Sequence, residues 1–571
     1  MLALLLLHIV ITLASLFTGF LFYSYVINDI NYEKANRYRH VIFYLITGVI
    51  VLTLITQLII VFFPATFLYR YILLLLSIIA IITTRKRIIP FISFLTGEFK
   101  KFSIPVKTVL VATWFLILML NAGPVMMDDT DSYHIQMVKW VQEYGTVPGI
   151  VNLHGRFGFN TSWFSSIALF GFEWKGHNFF TGLNGVLSLW FVTYLLSVAD
   201  KSLKKENNES YFALTVPYFI IFLIALVSWP IIRGNPSNSN YDFISLLVVF
   251  VLLSETLRTS TNKNSTLVPE WIIWPAFLFT IRIINFPFLL LSVFAFFVLL
   301  KQKDWRKILL YTFCCLLLIL PFLIRNIIIS GYPLYPATYF NWFAADWKAD
   351  HEKTIELLRF IKYYNRVDTG IQDLGVTESL IFPDWIIAWF KYMYTYNKIL
   401  FIPGMTGILL SPFLLRRQLL SSISTWLMIL VITLQVIVWF FSAPDPRFIY
   451  GSLFAGILIL MLLLKNLSTN IYFTKFSKYL FFATATGIMC FSLNKMVNSD
   501  RYRNWLLPSS LPVPPVKNIT IDNVQLHIPE KILNNWNPRC YATDLPCLYE
   551  VDPRLKLRGK EIADGFKLES K

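Results

Sequence analysis

Apolar stretches of about 20 residues recur along this chain from Met1 almost to Asn494, and each is long enough to cross a bilayer core as a helix. A helix rises 1.5 Å per residue, and the hydrocarbon core of a bilayer is roughly 30 Å thick. Backbone polar groups inside a bilayer must find partners within the span, so these stretches must be helical. A barrel would instead show short alternating strands. We therefore predict an all-α polytopic membrane protein.

Composition agrees with this interpretation. Of the 571 residues, 56% are hydrophobic and 15% are charged, whereas soluble domains are about 25% charged. The net charge of +17 does not indicate a nucleic-acid-binding protein, because the basic residues form short clusters between apolar stretches rather than one stripe on a soluble face.

We predict about fourteen spans from these stretches. The first lacks a basic leader and a small-residue cleavage site, so we interpret it as a span rather than a cleaved signal. The predicted spans are 3–27, 41–63, 66–83, 106–122, 177–198, 211–232, 241–256, 269–284, 285–300, 308–330, 399–415, 421–442, 449–465 and 478–494.

The stretch 269–300 allows either one long helix or two short ones. One helix would place the basic residues in 301–307 and 416–417 on the opposite side from every other basic cluster. Two spans hinged near Asn285 and Pro287 bring them all to one side, which the positive-inside rule assigns to the cytoplasm. The distribution of basic residues therefore favours two spans in the stretch 269–300.

The large polar segments then share the extracytoplasmic side. They comprise both termini, loop 123–176, loop 331–398 and the tail from residue 495. We predict a transmembrane domain at 1–494 and a small extracytoplasmic domain at 495–571, in which residues 519–528 alternate like a strand. Cys540 and Cys547 lie where disulfides persist, and a bridge between them would staple a domain too small for a large core.

Three carboxylates open the first large outer loop. Asp128, Asp129 and Asp131 fall within four residues, and carboxylates this close repel each other unless a cation or proton lies among them. The segment 132–144 that follows has apolar residues at helical spacing, which predicts an amphipathic helix on the membrane surface with Asp131 or Ser132 as its cap. The alternative is that the aspartates only cap and solubilise this helix.

This motif resembles the GT-C superfamily of integral-membrane glycosyltransferases, which use polyprenyl-phosphate sugars. The resemblance rests on residues 129–134, on Trp140 and on residues 152–156, and more narrowly it points to a bacterial group of GT-C-like proteins. In the usual layout the acidic loop follows the first helix, whereas three further spans precede it here. The resemblance implies a GT-C-like fold in the bacterial inner membrane, with a lipid-linked sugar as donor and a glycan, lipid or protein as acceptor.

It also implies roles for the aspartates. Asp129 is expected to be the base that accepts the acceptor's proton. Asp128 or Asp131 would orient Asp129, raise its pKa or share a divalent ion with it. Oxygen ligands such as Asp129 and Asp131 suit Mg²⁺ or Mn²⁺. Both metal-dependent and metal-independent enzymes occur in the superfamily, so both alternatives stay open and no cofactor is assigned.

The departing phosphate needs cations, and three arginines near outer ends of spans are candidates: Arg282, Arg325 and Arg447. The structural alternatives are that Arg325 snorkels to lipid headgroups and that Arg447 pairs with Asp445. Side chains that would support acceptor or donor are His134, His154, Arg156 and Asp242. The histidines could equally be surface residues, and Asp242 an exposed helix cap.

Three other functions compete with a glycosyltransferase. A transporter or flippase of lipid-linked sugars would show internal repeats and facing charges at mid-span, and the sequence shows no clear repeat and few acids at span centres. A ligase or polymerase of surface glycans would share the donor but usually relies on arginine and histidine. A non-enzymatic scaffold would leave the aspartate motif unexplained.

Overall fold

A computed structural model describes residues 1–28, 40–203, 215–259, 267–364, 366, 383–416, 422–464, 471–530 and 539–569. Within these ranges, ten helices are long and apolar enough to cross a membrane, or up to twelve if each of two bent pairs is one span. The prediction of an all-α polytopic protein is confirmed, and the count of fourteen stays a prediction.

The helices are numbered here in chain order. They are α1 Leu2–Leu21, α2 Val41–Ile60, α3 Phe67–Thr83, α4 Arg85–Lys101, α5 Ile104–Asn121, α6 Ile135–Glu143, α7 Ser162–Phe170, α8 Gly182–Leu203, α9 Thr215–Val227, α10 Asp242–Thr259, α11 Val268–Ile281, α12 Leu289–Lys301, α13 Trp305–Ser330, α14 His351–Tyr364, α15 Asp384–Tyr392, α16 Thr395–Leu414, α17 Ile423–Ser442, α18 Tyr450–Met461 and α19 Ile471–Asn498.

Each predicted span overlaps one of these helices. Some of the predicted spans overlap helices that are not among the ten, and three of these cases have a clear physical reason. The predicted span 66–83 coincides with α3, which bends by 92° into the basic helix α4. Span 241–256 coincides with α10, which carries charged residues at both ends. Span 269–284 coincides with α11, which has only 14 residues. A 3₁₀ turn at Ile283–Phe288 separates α11 from α12, which confirms the predicted break.

Polar contacts gather at two opposite sets of helix ends. At one set, the amino group of Met1 donates to the carbonyl of Asn504 at 2.5 Å, and Ser509 N–H donates to Ala122. At the other, Arg87 donates to the carbonyl of Ser24 at 2.7 Å, and His40 contacts Ser197 at 3.0 Å. Segments predicted to share a side therefore meet each other. The orientation of the two sides in a membrane stays a prediction.

Helices α16 and α18 pack closely against each other. A Cβ atom on Gly407 of α16 would clash with the backbone of Gly456 on α18. Small residues let membrane helices approach in this way. The turn Pro446–Ile449 leads directly into α18.

Strands occur in two places within the described residues. A two-stranded ribbon forms from β1 Glu173–Trp174 and β2 His177–Asn178. In the tail, β3 Val516–Ile521 pairs antiparallel with β4 Val524–Pro529, so the stretch 519–528 is extended as predicted but is a hairpin with a turn at Asp522 rather than one strand, and β5 Leu555–Leu557 pairs with β6 Phe566–Leu568. Cys540 and Cys547 form a disulfide. The division into domains at residue 495 stays a prediction.

Candidate functional site

The acidic motif lies in a wide helical turn. Thr130–His134 form a π-helical turn that runs directly into α6, so the chain is already helical where α6 begins. The predicted cap by Asp131 or Ser132 is therefore wrong, because no side chain caps the start of the π-helical turn or the start of α6. The helix ends at Glu143, just before Gly145, as its sequence predicts.

Helix α6 is covered by protein on both sides and does not lie on the surface as predicted. Its apolar residues, among them Val138 and Trp140, are buried. On its polar side, Gln136 Nε2 donates to the carbonyl of Thr543 at 2.9 Å, and Lys139 Nζ donates to the carbonyl of Ala542 at 2.9 Å. The tail thus occupies the face that was predicted to meet water.

Asp129 lies between two arginines from distant parts of the chain. Arg447 Nη1 is 3.0 Å from its Oδ2, and Arg156 Nη1 is 3.4 Å from its Oδ1. The Asp129 side chain is 24% exposed, which leaves it reachable from outside the protein. Both oxygens of the predicted base therefore face guanidinium groups.

A second ion pair adjoins this one. Arg282 Nη2 lies 2.5 Å from Asp242 Oδ1, and the Arg282 guanidinium is 3.8 Å from the centre of the Phe448 ring and 4.6 Å from that of Tyr241. Asp242 is the first residue of α10 but is only 4% exposed, so the alternative of an exposed helix cap is wrong.

Arg447 joins the two ion pairs. Its Nε is 2.8 Å from Asp445 Oδ2, which confirms the pairing raised as the structural alternative, and 3.9 Å from Asp242 Oδ2. Arg447 also reaches Asp129, so the pairing with Asp445 does not account for all of its contacts, and its role toward a phosphate stays a prediction. We name the set the inner cluster; it comprises Asp129, Arg156, Asp242, Arg282, Asp445 and Arg447.

The cluster controls the ionisation of Asp129. Burial opposes its charge, but the guanidinium groups of Arg447 and Arg156 outweigh that effect and lower the pKa of Asp129 to about 2. Burial raises the pKa of the neighbouring Asp445 despite Arg447. Asp129 is therefore a carboxylate at neutral pH, held in place by hydrogen bonds to charged donors.

His134 lies beside the inner cluster and is not the surface residue of the alternative interpretation. It is 1% exposed, and its ring packs against those of Tyr133, Phe164 and Tyr241 at 4.4–5.6 Å. Burial lowers the pKa of His134 to about 3, so the ring is neutral at pH 7. Within the described residues, neither of its nitrogens has a hydrogen-bond partner.

A separate group of charges forms on the other two aspartates. Arg539 Nη2 is 2.5 Å from Asp128 Oδ1, and its Nη1 is 3.6 Å from Asp131 Oδ2. Burial raises the pKa of Asp131 to about 7, with Arg539 opposing the rise and Asp128 adding to it. We name Asp128, Asp131 and Arg539 the outer cluster.

Two further predicted site residues lie outside both clusters. Arg325 is 1% exposed, and its hydrogen-bond partners are the hydroxyls of Thr146 at 3.1 Å and Ser165 at 3.5 Å, so it does not snorkel. No described contact joins it to the inner cluster. The ring of His154 packs 4.7 Å from that of Tyr549, and burial lowers the pKa of His154 to about 3.

A divalent metal fits these residues poorly. Asp129 and Asp131, the predicted ligands, each face guanidinium groups that already supply positive charge. Across the residues described, no group of three or more His, Cys, Asp or Glu side chains is placed to hold a metal ion. We therefore assign no step to a metal.

Sequence reasoning missed Arg539, and it also missed the rings of Tyr241 and Phe448 that hold Arg282. Arg539 lies 411 residues from Asp128, too far for any local pattern to pair them. Its position directly before Cys540, the first cysteine of the predicted disulfide, was the available signal. For the two rings the signal was adjacency in sequence, since Tyr241 precedes Asp242 and Phe448 follows Arg447.

Comparison with known proteins identifies a family for this chain but no chemical activity. Neither the curated proteins nor the solved structures contain a match to this chain. One family model matches residues 1–454, a range that includes the whole inner cluster and stops before Arg539. The chain therefore belongs to the family described as a domain of unknown function, DUF8201.

Proposed function

We propose that this protein is a GT-C-type glycosyltransferase that moves a sugar from a polyprenyl-phosphate donor to an acceptor at the outer face of the membrane. The observation that carries the proposal is Asp129 held between Arg447 and Arg156. A carboxylate and several guanidinium groups at the outer ends of spans are the groups that sugar transfer from a lipid phosphate requires.

The arginines would hold the donor's phosphate. Negative charge grows on this phosphate as the sugar leaves, and fixed cations stabilise that charge most in a partly buried site. Guanidinium groups bind phosphate oxygens in pairs. Arg282 is fixed by Asp242 and two rings, while Arg447 is shared among three carboxylates, so Arg447 has the most freedom to exchange a carboxylate for a phosphate.

Asp129 would act as the base. A carboxylate with a pKa near 2 is a weak base, but a phosphate that competes for Arg447 and Arg156 would weaken their hold on Asp129 and raise its affinity for a proton. The acceptor's hydroxyl or amine then gives its proton to Asp129 and bonds to the anomeric carbon. The bond from that carbon to the phosphate oxygen breaks, and its electron pair leaves with the polyprenyl phosphate.

His134 would contact the sugar. A neutral, buried ring with two unpartnered nitrogens beside the inner cluster is suited to donate one hydrogen bond to a hydroxyl and accept another. Burying such nitrogens without a partner is unfavourable, so a ligand that satisfies them gains binding free energy.

The finer topology belongs to the same proposal. We place about fourteen spans in the bacterial inner membrane, with both termini and the small tail domain outside. The convergence of loop 123–176, the turn before α18 and the tail around the two clusters supports this arrangement.

The test compares Asp129→Asn with Asp346→Asn, since Asp346 also pairs with an arginine, Arg558 at 3.0 Å, but lies outside both clusters. We expect Asp129→Asn to reduce transfer from a radiolabelled polyprenyl-phosphate sugar in membrane vesicles by about 10²–10⁴-fold. It should still retain undecaprenyl phosphate in native mass spectrometry, and Asp346→Asn should do both normally.

Normal transfer by Asp129→Asn would refute the proposed base. Transport of lipid-linked sugars is the competing proposal, and it predicts that the same vesicles translocate a fluorescent polyprenyl-phosphate sugar without transferring it. Asp242 and Asp445 of the inner cluster lie at helix ends rather than at mid-span, and this favours transfer.

A further inference from the structure

Residues 539–549 form a hooked segment that closes over the acidic turn. The Cys540–Cys547 disulfide joins the two arms of this C-terminal hook. The hook is anchored to the rest of the tail, because His527 N–H donates to Pro546 and Leu548 N–H donates to His527. Its shape is thus fixed both covalently and by hydrogen bonds.

The hook contacts the acidic turn through backbone and side chains. Tyr541 N–H donates to the carbonyl of Asp131 at 2.8 Å. Gln136 and Lys139, one and two turns further along, donate to carbonyls of hook residues 541–543. Such a set of directional contacts fixes the turn's position and its rotation, since each carbonyl accepts from one defined direction.

The charges explain why the turn needs this support. Asp128 and Asp131 flank Asp129, so three carboxylates in four residues repel each other. Arg539 lies within ion-pair distance of both flanking residues. With their charges offset by Arg539, Asp129 is left to Arg447 and Arg156.

We propose that the C-terminal hook completes the candidate site, with Arg539 as the positioning residue that holds the acidic turn so that Asp129 meets Arg447 and Arg156. The hook lies beyond the residues matched by the family model. This inference deepens the proposed function and rests on it where transfer is measured, but its structural half is tested without any activity.

The structural test is hydrogen–deuterium exchange on the full chain in lipid nanodiscs. We expect Arg539→Gln, and separately the double variant Cys540→Ser/Cys547→Ser, to speed exchange of amides in residues 128–141 by at least about fivefold, because local opening is set by the contacts that hold a segment. The matched control is Arg558→Gln, which removes a tail arginine paired with Asp346 and should leave these amides unchanged.

The functional test uses transfer from the labelled donor. We expect Arg539→Gln to lose about 10–100-fold, since a small misplacement of a catalytic group costs up to 10²-fold. Arg539→Lys should recover most of the loss, because it keeps the positive charge. A role limited to folding would not be rescued by charge alone, and thermal unfolding of each variant separates that case.

The outcomes distinguish the two proposals. Unchanged exchange in both Arg539→Gln and the cysteine double variant overturns the positioning role, whatever Asp129→Asn does. Faster exchange together with normal transfer by Asp129→Asn refutes the proposed base and leaves the hook's hold on the turn established.

Discussion

Asp129 and Asp131 lie two residues apart in one turn, yet they ionise in opposite ways. The pKa of Asp129 is lowered to about 2, and that of Asp131 is raised to about 7. Asp131 is the less exposed, and it shares one arginine with Asp128, whereas Asp129 faces two arginines, of which Arg447 also pairs with Asp242 and Asp445. The number of guanidinium groups per carboxylate, together with burial, therefore sets the charge state.

The two clusters also differ in how many arginines they contain and in what surrounds them. The inner cluster draws its arginines from three distant segments and borders on the unpartnered ring of His134. The outer cluster has a single arginine, and Tyr541 N–H of the hook donates to the carbonyl of Asp131. Three arginines that converge beside the partly exposed Asp129 suit an anionic ligand, whereas the single arginine that joins the hook to the acidic turn suits a support.

The largest expected difference between the clusters is in transfer. Arg447→Gln should reduce transfer of labelled sugar by about 10³-fold, because it removes a cation from the departing phosphate. It should also weaken retention of undecaprenyl phosphate. Arg554→Gln is the control, since Arg554 is a tail arginine that pairs with Asp552 and with Asp350, outside both clusters. If Arg447→Gln costs no more than Arg539→Gln, the distinction between the clusters fails.

The next effect is on stability and concerns Arg282. Arg282→Gln would leave the Asp242 side chain, 3% exposed, with only the more distant Arg447 at 3.9 Å. Breaking a buried pair from one side costs about 3–5 kcal/mol, and we expect the lower end because Arg447 remains. Tryptophan fluorescence during thermal unfolding measures the loss.

The double variant Arg282→Gln/Asp242→Asn is the internal control for that experiment. It removes both charges, so it should regain most of the lost stability. A double variant as unstable as Arg282→Gln alone would show that packing on Phe448 and Tyr241, rather than charge, is what Arg282 contributes.

The smallest effect is a pH dependence centred on Asp131. Its folded pKa of about 7 exceeds the ordinary value of 3.8, so folding carries a penalty that accumulates as pH rises from 3.8 to 7. Asp131→Asn removes the ionisable group and should raise the apparent Tm by about 2–4 °C at pH 8. The gain should shrink toward pH 4; a gain independent of pH would contradict the raised pKa.

Much of the fold was predictable because membrane spans can be identified in a sequence by their length and apolarity. Even the break between α11 and α12 followed from the charges in 301–307 and 416–417. The covered position of α6 was not predictable, because nothing in residues 135–143 indicates that the tail covers their polar side. Pattern reading assigns a polar face to water unless a partner is known.

The site was predictable where a residue was unusual for its surroundings. Asp129, Arg282 and Arg447 stood out as charges at span ends, and they meet through Asp242. Arg325 stood out for the same reason but binds hydroxyls elsewhere, because sequence position along a span does not fix which neighbouring helix it faces. Arg539 lay in a polar tail where one more arginine is unremarkable.

The hook also sets an order of assembly during synthesis. The acidic turn leaves the ribosome more than 400 residues before Arg539 does, since the two are 411 residues apart. Newly inserted spans can gather the inner cluster while Asp128 and Asp131 still lack their cation. The hook can contact the turn only after residues 539–549 have been synthesised, so this site is completed late in synthesis.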